Sequence, residues 1–507
     1  MTDSLSGTDS TSVTDSTSTT DSPSGTGSPP VDHRRLFLGS CVALIATSVA
    51  FATVGAIMLA LKREFVLTNQ EVGWIGGAAL WGFAVSQLIF APLCDTLGMR
   101  FLLRVSFLGH LGGTLIMMMA DGFWTLVAGA LVIAMANGLV EAACNPLVAS
   151  LYPENKTVKL NRFHVWFPGG VVIGGLGSFG LDAVGFGAWQ LKLGLILVPT
   201  LAYGWLLLAQ PFPATEGVRA GVGLGEMFKA AFATPLMWVM LVAMAMTASV
   251  ELGPNRWIPA VLEAGGMAGI LVLVWINGLM AVLRYRAGPV VKQLSPTGVL
   301  LASAALSGLG LLGLSLGGAG WATLGSATVF AVGVCYFWPT MLGVVSERVP
   351  KSGALGLGLM GAVGTAVVGL VTAPTMGQIA DRYAHERIPV QATMTLLESS
   401  AVTLSGLDDV DAQAAARSAE DVLADFGNAG SLPQPATANA LRAIIASDAS
   451  PELVAEAQSI LGPADNYGGL ISFRYLVPLC GVLMLIFGTL YMRDRRKGGY
   501  VVEPIAA

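Results

Sequence analysis

The chain has 507 residues, 54% of them hydrophobic and only 12% charged, with a mean hydropathy of +0.69. So little polar surface excludes a soluble multidomain protein and points to a polytopic, all-α membrane protein set in a lipid bilayer. The formal net charge of −5 is uninformative taken whole, because the acids concentrate in two segments outside the hydrophobic body; nothing suggests nucleic-acid binding.

Residues 1–33 are almost entirely Ser, Thr, Asp, Gly and Pro. Such a segment cannot bury enough surface to offset chain entropy and is expected to be a disordered cytoplasmic tail. It lacks the basic region and apolar core of a signal peptide.

From Arg35 onward there are about twelve apolar stretches of roughly twenty residues, the length that crosses the hydrocarbon core as helix. The expected spans are 36–60, 71–94, 101–120, 124–151, 164–185, 188–210, 232–262, 266–286, 298–317, 321–346, 354–380 and 469–492. An even number puts both ends on one side. Arg34, Arg35, Arg100, Arg104, Lys156, Arg284, Arg286, Arg348 and the run Arg493 to Lys497 collect there, which makes it the cytoplasmic side of a cell membrane. The expected organisation is a six-helix bundle at 34–210, a linker at 211–231, five helices of a second bundle at 232–382, an acidic extracytoplasmic insertion at 383–468, the twelfth helix at 469–492 and a cytoplasmic tail at 493–507.

Polar residues inside these stretches are the candidate site. Span four carries Glu141 and, four residues on, Asn145 followed by Pro146. That spacing puts carboxyl and amide on one helix face, where both can meet a single solute. Ionisable groups within a bilayer segment are costly and by default mark solute paths or proton relays. Span five opens with His164, Trp166 and the break Pro168, Gly169, Gly170. His164 is kept as a candidate contact, although its position suits a structural hydrogen bond better. Span seven repeats the spacing with Glu251 and Asn255, beside Pro254 and Arg256; Glu251 has three open roles, as proton acceptor, hydroxyl ligand or partner of Arg256. Gln87, Asn277, Tyr336 and Trp338 complete the candidate solute contacts, a ring over a pyranose face and polar groups on its hydroxyls being how a wet cavity holds a polyol. Each of these residues also has an ordinary reading as helix packing or an interhelical bond.

The two halves echo each other. Ala91, Pro92, Asp95, Leu97, Gly98, Leu102 and Leu103 align without gaps to Gly288, Pro289, Lys292, Leu294, Ser295, Val299 and Leu300, consistent with a repeat of six plus six spans about a midplane site. Between spans two and three, Asp95, Gly98 and Arg100 match the pattern Gly-x-x-x-Asp-Arg-x-Gly-x-Arg, with Ala91 and Thr96 departing from it. In these features the chain resembles the major facilitator superfamily. The resemblance implies that Asp95, with Gly98 and Arg100, is a gate element whose carboxylate pairs with basic groups and helix ends.

Glu141, Asn145, Pro146, Leu151, Tyr152, Pro153, Leu160, Asn161, His164 and Gly170 look like the fucose permease branch of that superfamily, the fucose, galactose and glucose:proton symporters. That implies a proton-coupled sugar carrier with Glu141, and secondarily Glu251, linked to protons. The branch also places an Asp late in span one, where this chain reads Ala52 to Ala56 without an acid; a facilitator or differently coupled carrier stays open.

The segment 383–468 is strongly acidic, and Ala412 to Phe426 and Thr437 to Ile445 read as amphipathic helices. It is expected to cap the outer mouth, to meet an extracytoplasmic partner, or to have no transport role. The five cysteines (Cys41, Cys94, Cys144, Cys335, Cys480) have no metal-ligand spacing and are expected to be structural thiols. No cofactor is expected, and no nucleotide-binding loop matches, which disfavours a primary pump. The reading is a non-enzymatic secondary transporter of a small polar solute, with a sugar favoured and a proton as the coupling ion. The alternatives are a drug or lipid exporter of the same superfamily and a transporter-like receptor or scaffold acting through the insertion.

Overall fold

The computed structural model describes residues 31–505 apart from 66, 68, 318 and 319. The expectation of disorder for the N-terminal tail therefore falls mainly on residues outside the described ones. Those described contain no strand. Ten helices are long and apolar enough to cross a membrane. They are span 1 (His33–Glu64), span 2 (Asn69–Phe90), span 3 (Met99–Met118), span 4 (Phe123–Leu151), span 6 (Trp189–Leu207), span 7 (Pro235–Ala264), span 9 (Ala287–Ser315), span 10 (Trp321–Arg348), span 11 (Pro350–His385) and span 12, within Pro451–Arg496. The glycine-rich Trp166–Ala183 and the short apolar Gly269–Tyr285 run among them as spans 5 and 8 and bring the set to twelve.

Two bundles result. Span 1 lies along spans 5 and 6, and span 4 along spans 2 and 3; in the second half span 9 lies along 10 and 12, and span 7 along 8 and 11. Lipid offers helices no hydrophobic reason to associate, so close backbone approach has to supply it. A Cβ on Gly129 would strike the Met117 backbone across spans 3 and 4, and one on Gly310 would strike the Phe330 backbone across spans 9 and 10. The halves meet along two seams, span 2 against 11 and span 5 against 8.

The repeat seen in the sequence has a backbone counterpart. Gly98, between spans 2 and 3, has φ 82° and ψ 143°, and its aligned partner Ser295, between spans 8 and 9, has φ 62° and ψ 161°. Only glycine takes that region freely, so the serine holds the same turn under strain. Span 9 accordingly begins earlier than expected and bends at Ser295.

The insertion forms its own small core. Val390–Ser405, Val410–Ala429, Ala436–Ala446 and Pro451–Arg474 are helical and bury Leu396, Leu397, Leu404, Val422, Leu441 and Ile444 together. It is no loosely tethered domain, because its last helix packs on the end of span 11 and runs, after a turn at Tyr475, into Val477–Arg496. The twelfth helical path thus starts well before residue 469.

At the other end the chain folds back. Tyr500 donates its hydroxyl to Glu347 Oε2 at 2.8 Å, Glu503 N donates to Glu347 O at 2.8 Å, and the Arg348 guanidinium sits 4.2 Å over the Tyr500 ring while bonding Asp494. This end is the termini face of the molecule, and the opposite one is the insertion face.

Candidate functional site

Two prolines build the centre of the site. Proline has no N–H, so Pro168 and Pro339 leave the carbonyls four residues earlier, His164 and Cys335, without their usual helical donors. The helices break at these points. Arg284 of span 8 takes both carbonyls: Nη1 donates to His164 O at 3.0 Å and Nε to Cys335 O at 2.5 Å, while Nη2 donates to Glu251 Oε1 at 2.7 Å. A guanidinium only 1% exposed is tolerable because carboxylate and carbonyls replace its water. The His164 carbonyl belongs to the first half and the other partners to the second, so one side chain spans the seam.

Around it lies a chamber of about 540 Å³ between the halves. Its floor holds Glu141, His164, Glu251 and Trp338; Phe51, Phe83 and Phe167 form an aromatic wall on the first-half side, the Phe51 ring centroid 5.8 Å from that of Phe167. Among the described residues Glu251 Oε2 and Trp338 Nε1 are buried and make no hydrogen bond, the indole lying near the Glu141 carboxyl without reaching hydrogen-bond geometry with it. Glu141 ends a hydrogen-bonded chain: Asn145 Nδ2 donates to Glu141 Oε2 at 3.0 Å, and Asn145 Oδ1 meets His164 Nε2 at 3.1 Å. With the amide oxygen accepting, His164 carries its hydrogen on Nε2.

The chamber has one sealed end. From the floor its lining climbs span 5 from His164 to Asp182 and span 1 through Ala52, Gly55 and Ala56 toward the insertion face. On the termini face the short helix Lys156–Phe163 of the first half packs on span 10. Thr157 donates from N and Oγ1 to Glu347 Oε1 at 3.0 and 2.8 Å, Asn161 to Thr340 Oγ1 at 3.2 Å, and Lys156 to Ser346 O at 3.2 Å and the linker's Glu216 at 2.5 Å.

Of the candidates, Glu141, Glu251, His164, Asn255, Arg256, Asn277 and Trp338 line the chamber. Asn277 Nδ2 donates to Asn255 Oδ1 at 3.2 Å. Three candidates expected to touch solute do not line it. Asn145 lies behind Glu141 and His164. Gln87 is buried at the seam of spans 2 and 11, against Gly361. Tyr336 donates its hydroxyl to Leu283 O at 3.0 Å. The partner considered for Glu251 also differs: it is Arg284, because Arg256, five residues on, leaves the helix on another side. Arg256 stays exposed to the chamber with no partner among the described residues.

The expected gate residues act locally. Thr215 donates to Asp95 Oδ1 at 2.7 Å, and the carboxylate has no basic partner among the described residues, contrary to the expectation from resemblance. Burial pushes its carboxyl above the usual range, against the opposing Thr215 bond. Gly98 makes the turn, and Arg100 bonds Leu208 O at the end of span 6 at 3.2 and 3.1 Å.

Arg284 is the main residue that sequence reasoning misplaced. At the end of an apolar stretch a cation is ordinary and reads as a face charge; the available signal is the pair of prolines four residues beyond two otherwise helical carbonyls. Asp182 and Lys192, paired at 2.7 Å at the insertion-face end, and the aromatic wall were also missed, since nothing in their spacing distinguishes them from packing. The five cysteines are buried and free, and no cluster among the described residues has the make-up of a metal site.

Two bundles of membrane-spanning helices with a chamber between them, open at one end and holding paired and unpaired polar groups at its floor, define a polytopic membrane protein built around a central polar cavity. The model of the Major Facilitator Superfamily matches residues 36–373, and the chain belongs to that family. Among relatives, a D-xylose transporter of Levilactobacillus brevis is 26% identical over 159 residues, 31% of this chain and 34% of that protein. A gallate transporter of Pseudomonas putida is 23% identical over 370 residues, 63% of this chain and 80% of that protein. The chain thus spans about a third of the length of the first curated relative it matches. Among solved structures, the transporter FucP in an outward conformation superposes with a TM-score of 0.55 at 19% identity, over 69% of this chain and 93% of that one. A bacterial homologue of the lysosomal transporter Spinster, inward-facing and unoccupied, gives 0.57 at 14% identity over 94% and 99%. At these identities the likeness shows the fold.

Proposed function

We propose that this protein carries a monosaccharide-sized polyol across a cell membrane by alternating access of its two halves, with proton linkage through Glu141. The observation that carries the reading is the pair of buried unpartnered atoms on the chamber floor, Glu251 Oε2 and Trp338 Nε1. A buried polar atom without a partner is costly, and a sugar hydroxyl answers both, donating to the carboxylate and accepting from the indole. The aromatic wall beside them offers rings to an apolar sugar face, and a chamber of about 540 Å³ suits such a solute. A drug or lipid cargo would leave those two atoms unpaired, which weighs against the exporter reading. The similarity to a D-xylose transporter favours the same class.

In this reading the termini face, which carries Arg34, Arg35 and the run Arg493 to Lys497, is cytoplasmic by the positive-inside rule. The described conformation is then outward-open, with Thr157, Glu347, Lys156 and Asn161 holding the cytoplasmic side shut. Glu141 takes its proton from the chamber and returns it to the chamber once the halves have rearranged; Asn145, itself bonded to His164, donates to the Glu141 carboxylate and holds it in place without carrying the proton.

The test is purified protein in liposomes with labelled sugars, with and without an imposed pH gradient. Uptake of at least one sugar, lost in both Glu251→Gln and Trp338→Phe, is expected. Sugar uptake that survives both substitutions at wild-type rate would overturn the site.

A further inference from the structure

The charged groups of the chamber are equal in number of each sign but do not all pair with one another. Six lie along it besides His164: Glu141, Asp182, Lys192, Glu251, Arg256 and Arg284. Asp182 pairs with Lys192 and Glu251 with Arg284, each at 2.7 Å, and Glu141 accepts from Asn145. Arg256 alone has neither ion pair nor hydrogen bond among the described residues, and its side chain is exposed to the chamber. A guanidinium cannot shed its charge and presents a planar fork of donors matched to a carboxylate. The chamber lining includes apolar residues such as Ile270, Leu273 and Val274, and apolar walls strengthen the field of a charge within the chamber.

We infer that the solute is a polyol bearing a carboxylate, a sugar acid, and that Arg256 is the residue that selects it; this rests on the reading of the chamber as a polyol site. Arg256 follows Glu251 by five residues in one helix, an axial rise of about 7.5 Å, and although the two side chains leave the helix on different sides both line the same chamber. Hydroxyls at one end of such a molecule meet Glu251 Oε2 and Trp338 Nε1. The carboxylate at the other meets Arg256, with the Asn255 and Asn277 amides between. A neutral sugar satisfies only the floor. A carboxylate without hydroxyls satisfies only Arg256.

The experiment compares D-glucuronate with D-glucose, which differ at one carbon, and adds benzoate as a carboxylate without hydroxyls. Binding to the full-length protein in liposomes is followed by tryptophan fluorescence, for which Trp338 provides a reporter on the floor. Glucuronate is expected to bind at least about tenfold tighter than glucose, the scale of a charge-assisted hydrogen bond, with the advantage shrinking at high salt. Arg256→Gln brings the ratio near one, and Arg256→Lys, which keeps the charge and loses the fork, retains part of it. Equal binding of glucose and glucuronate by the wild type, or an undiminished ratio in Arg256→Gln, overturns the selection by charge and leaves the sugar reading standing. Benzoate binding as tightly as glucuronate overturns the polyol part. Binding of neither sugar overturns both this inference and the proposed function.

Discussion

Replacing Arg284 by methionine tests whether the ion pair at the seam is a structural centre. Methionine keeps an unbranched apolar stem and removes the charge and the donors. Glu251, 4% exposed, is left as a buried carboxylate without a cation, and breaking one partner of such a pair costs about 3–5 kcal/mol. The His164 and Cys335 carbonyls lose their donors as well, a smaller effect because the neighbouring chamber can admit water to them. Adding Glu251→Gln removes the stranded charge but not the carbonyl losses, so the double variant belongs between the single variant and the wild type. Unfolding by SDS titration in mild detergent, read by the protein's own tryptophans, gives the three stabilities. If the single variant matches the wild type, or the double variant is no more stable than the single, the stranded-charge argument is wrong.

Three further outcomes follow from other parts of the molecule. Glu141→Gln is expected to abolish accumulation driven by a pH gradient while sparing exchange of solute across liposomes; accumulation at wild-type level would remove Glu141 from the proton path. Ser295→Gly relieves a backbone conformation that glycine adopts freely and should stabilise the protein by about 1 kcal/mol, measured by the same titration, whereas Gly98→Ser should destabilise it by a similar amount. Asp95 has its carboxyl raised by burial, so the folded state holds this proton more tightly than the unfolded one. Stability from that difference is present at low pH and lost as pH rises through the raised value. Asp95→Asn, which can still accept from Thr215, should therefore gain on the wild type as pH rises, and a gap that widens toward acid pH would contradict the sign.

Much of the architecture was legible because lipid leaves so few choices. A segment in hydrocarbon must satisfy its own backbone, so each long apolar run had to be a helix, and even the strained Ser295 was marked by its alignment with Gly98. Glu141 and Glu251 stood out for the complementary reason, a charge where charge is expensive. Arg284 was hidden by position, since its partners arrive from residues 164, 251 and 335, far apart in sequence. Asn145, Gln87 and Tyr336 show the converse limit: helical spacing says which side chains share a face, but not whether a neighbouring helix reaches that face first. The insertion helices Val410–Ala429 and Ala436–Ala446 carried a clear amphipathic period, while Val390–Ser405, rich in Ser and Thr, did not.

The folded-back chain end has a bearing on how firmly the molecule shuts. Glu347 offers one carboxylate oxygen to Thr157 of the opposite half and the other to Tyr500 of its own. A free glutamate loses its rotamer entropy when it engages; this one is held by the Tyr500 hydroxyl as well as by Thr157. It behaves as a fixed doorpost rather than a swinging hook. The strength of the closed door is therefore written partly into residues that never touch the cargo and do not cross the doorway, and a change at position 500 can retune the opening frequency with the cargo pocket left as it was.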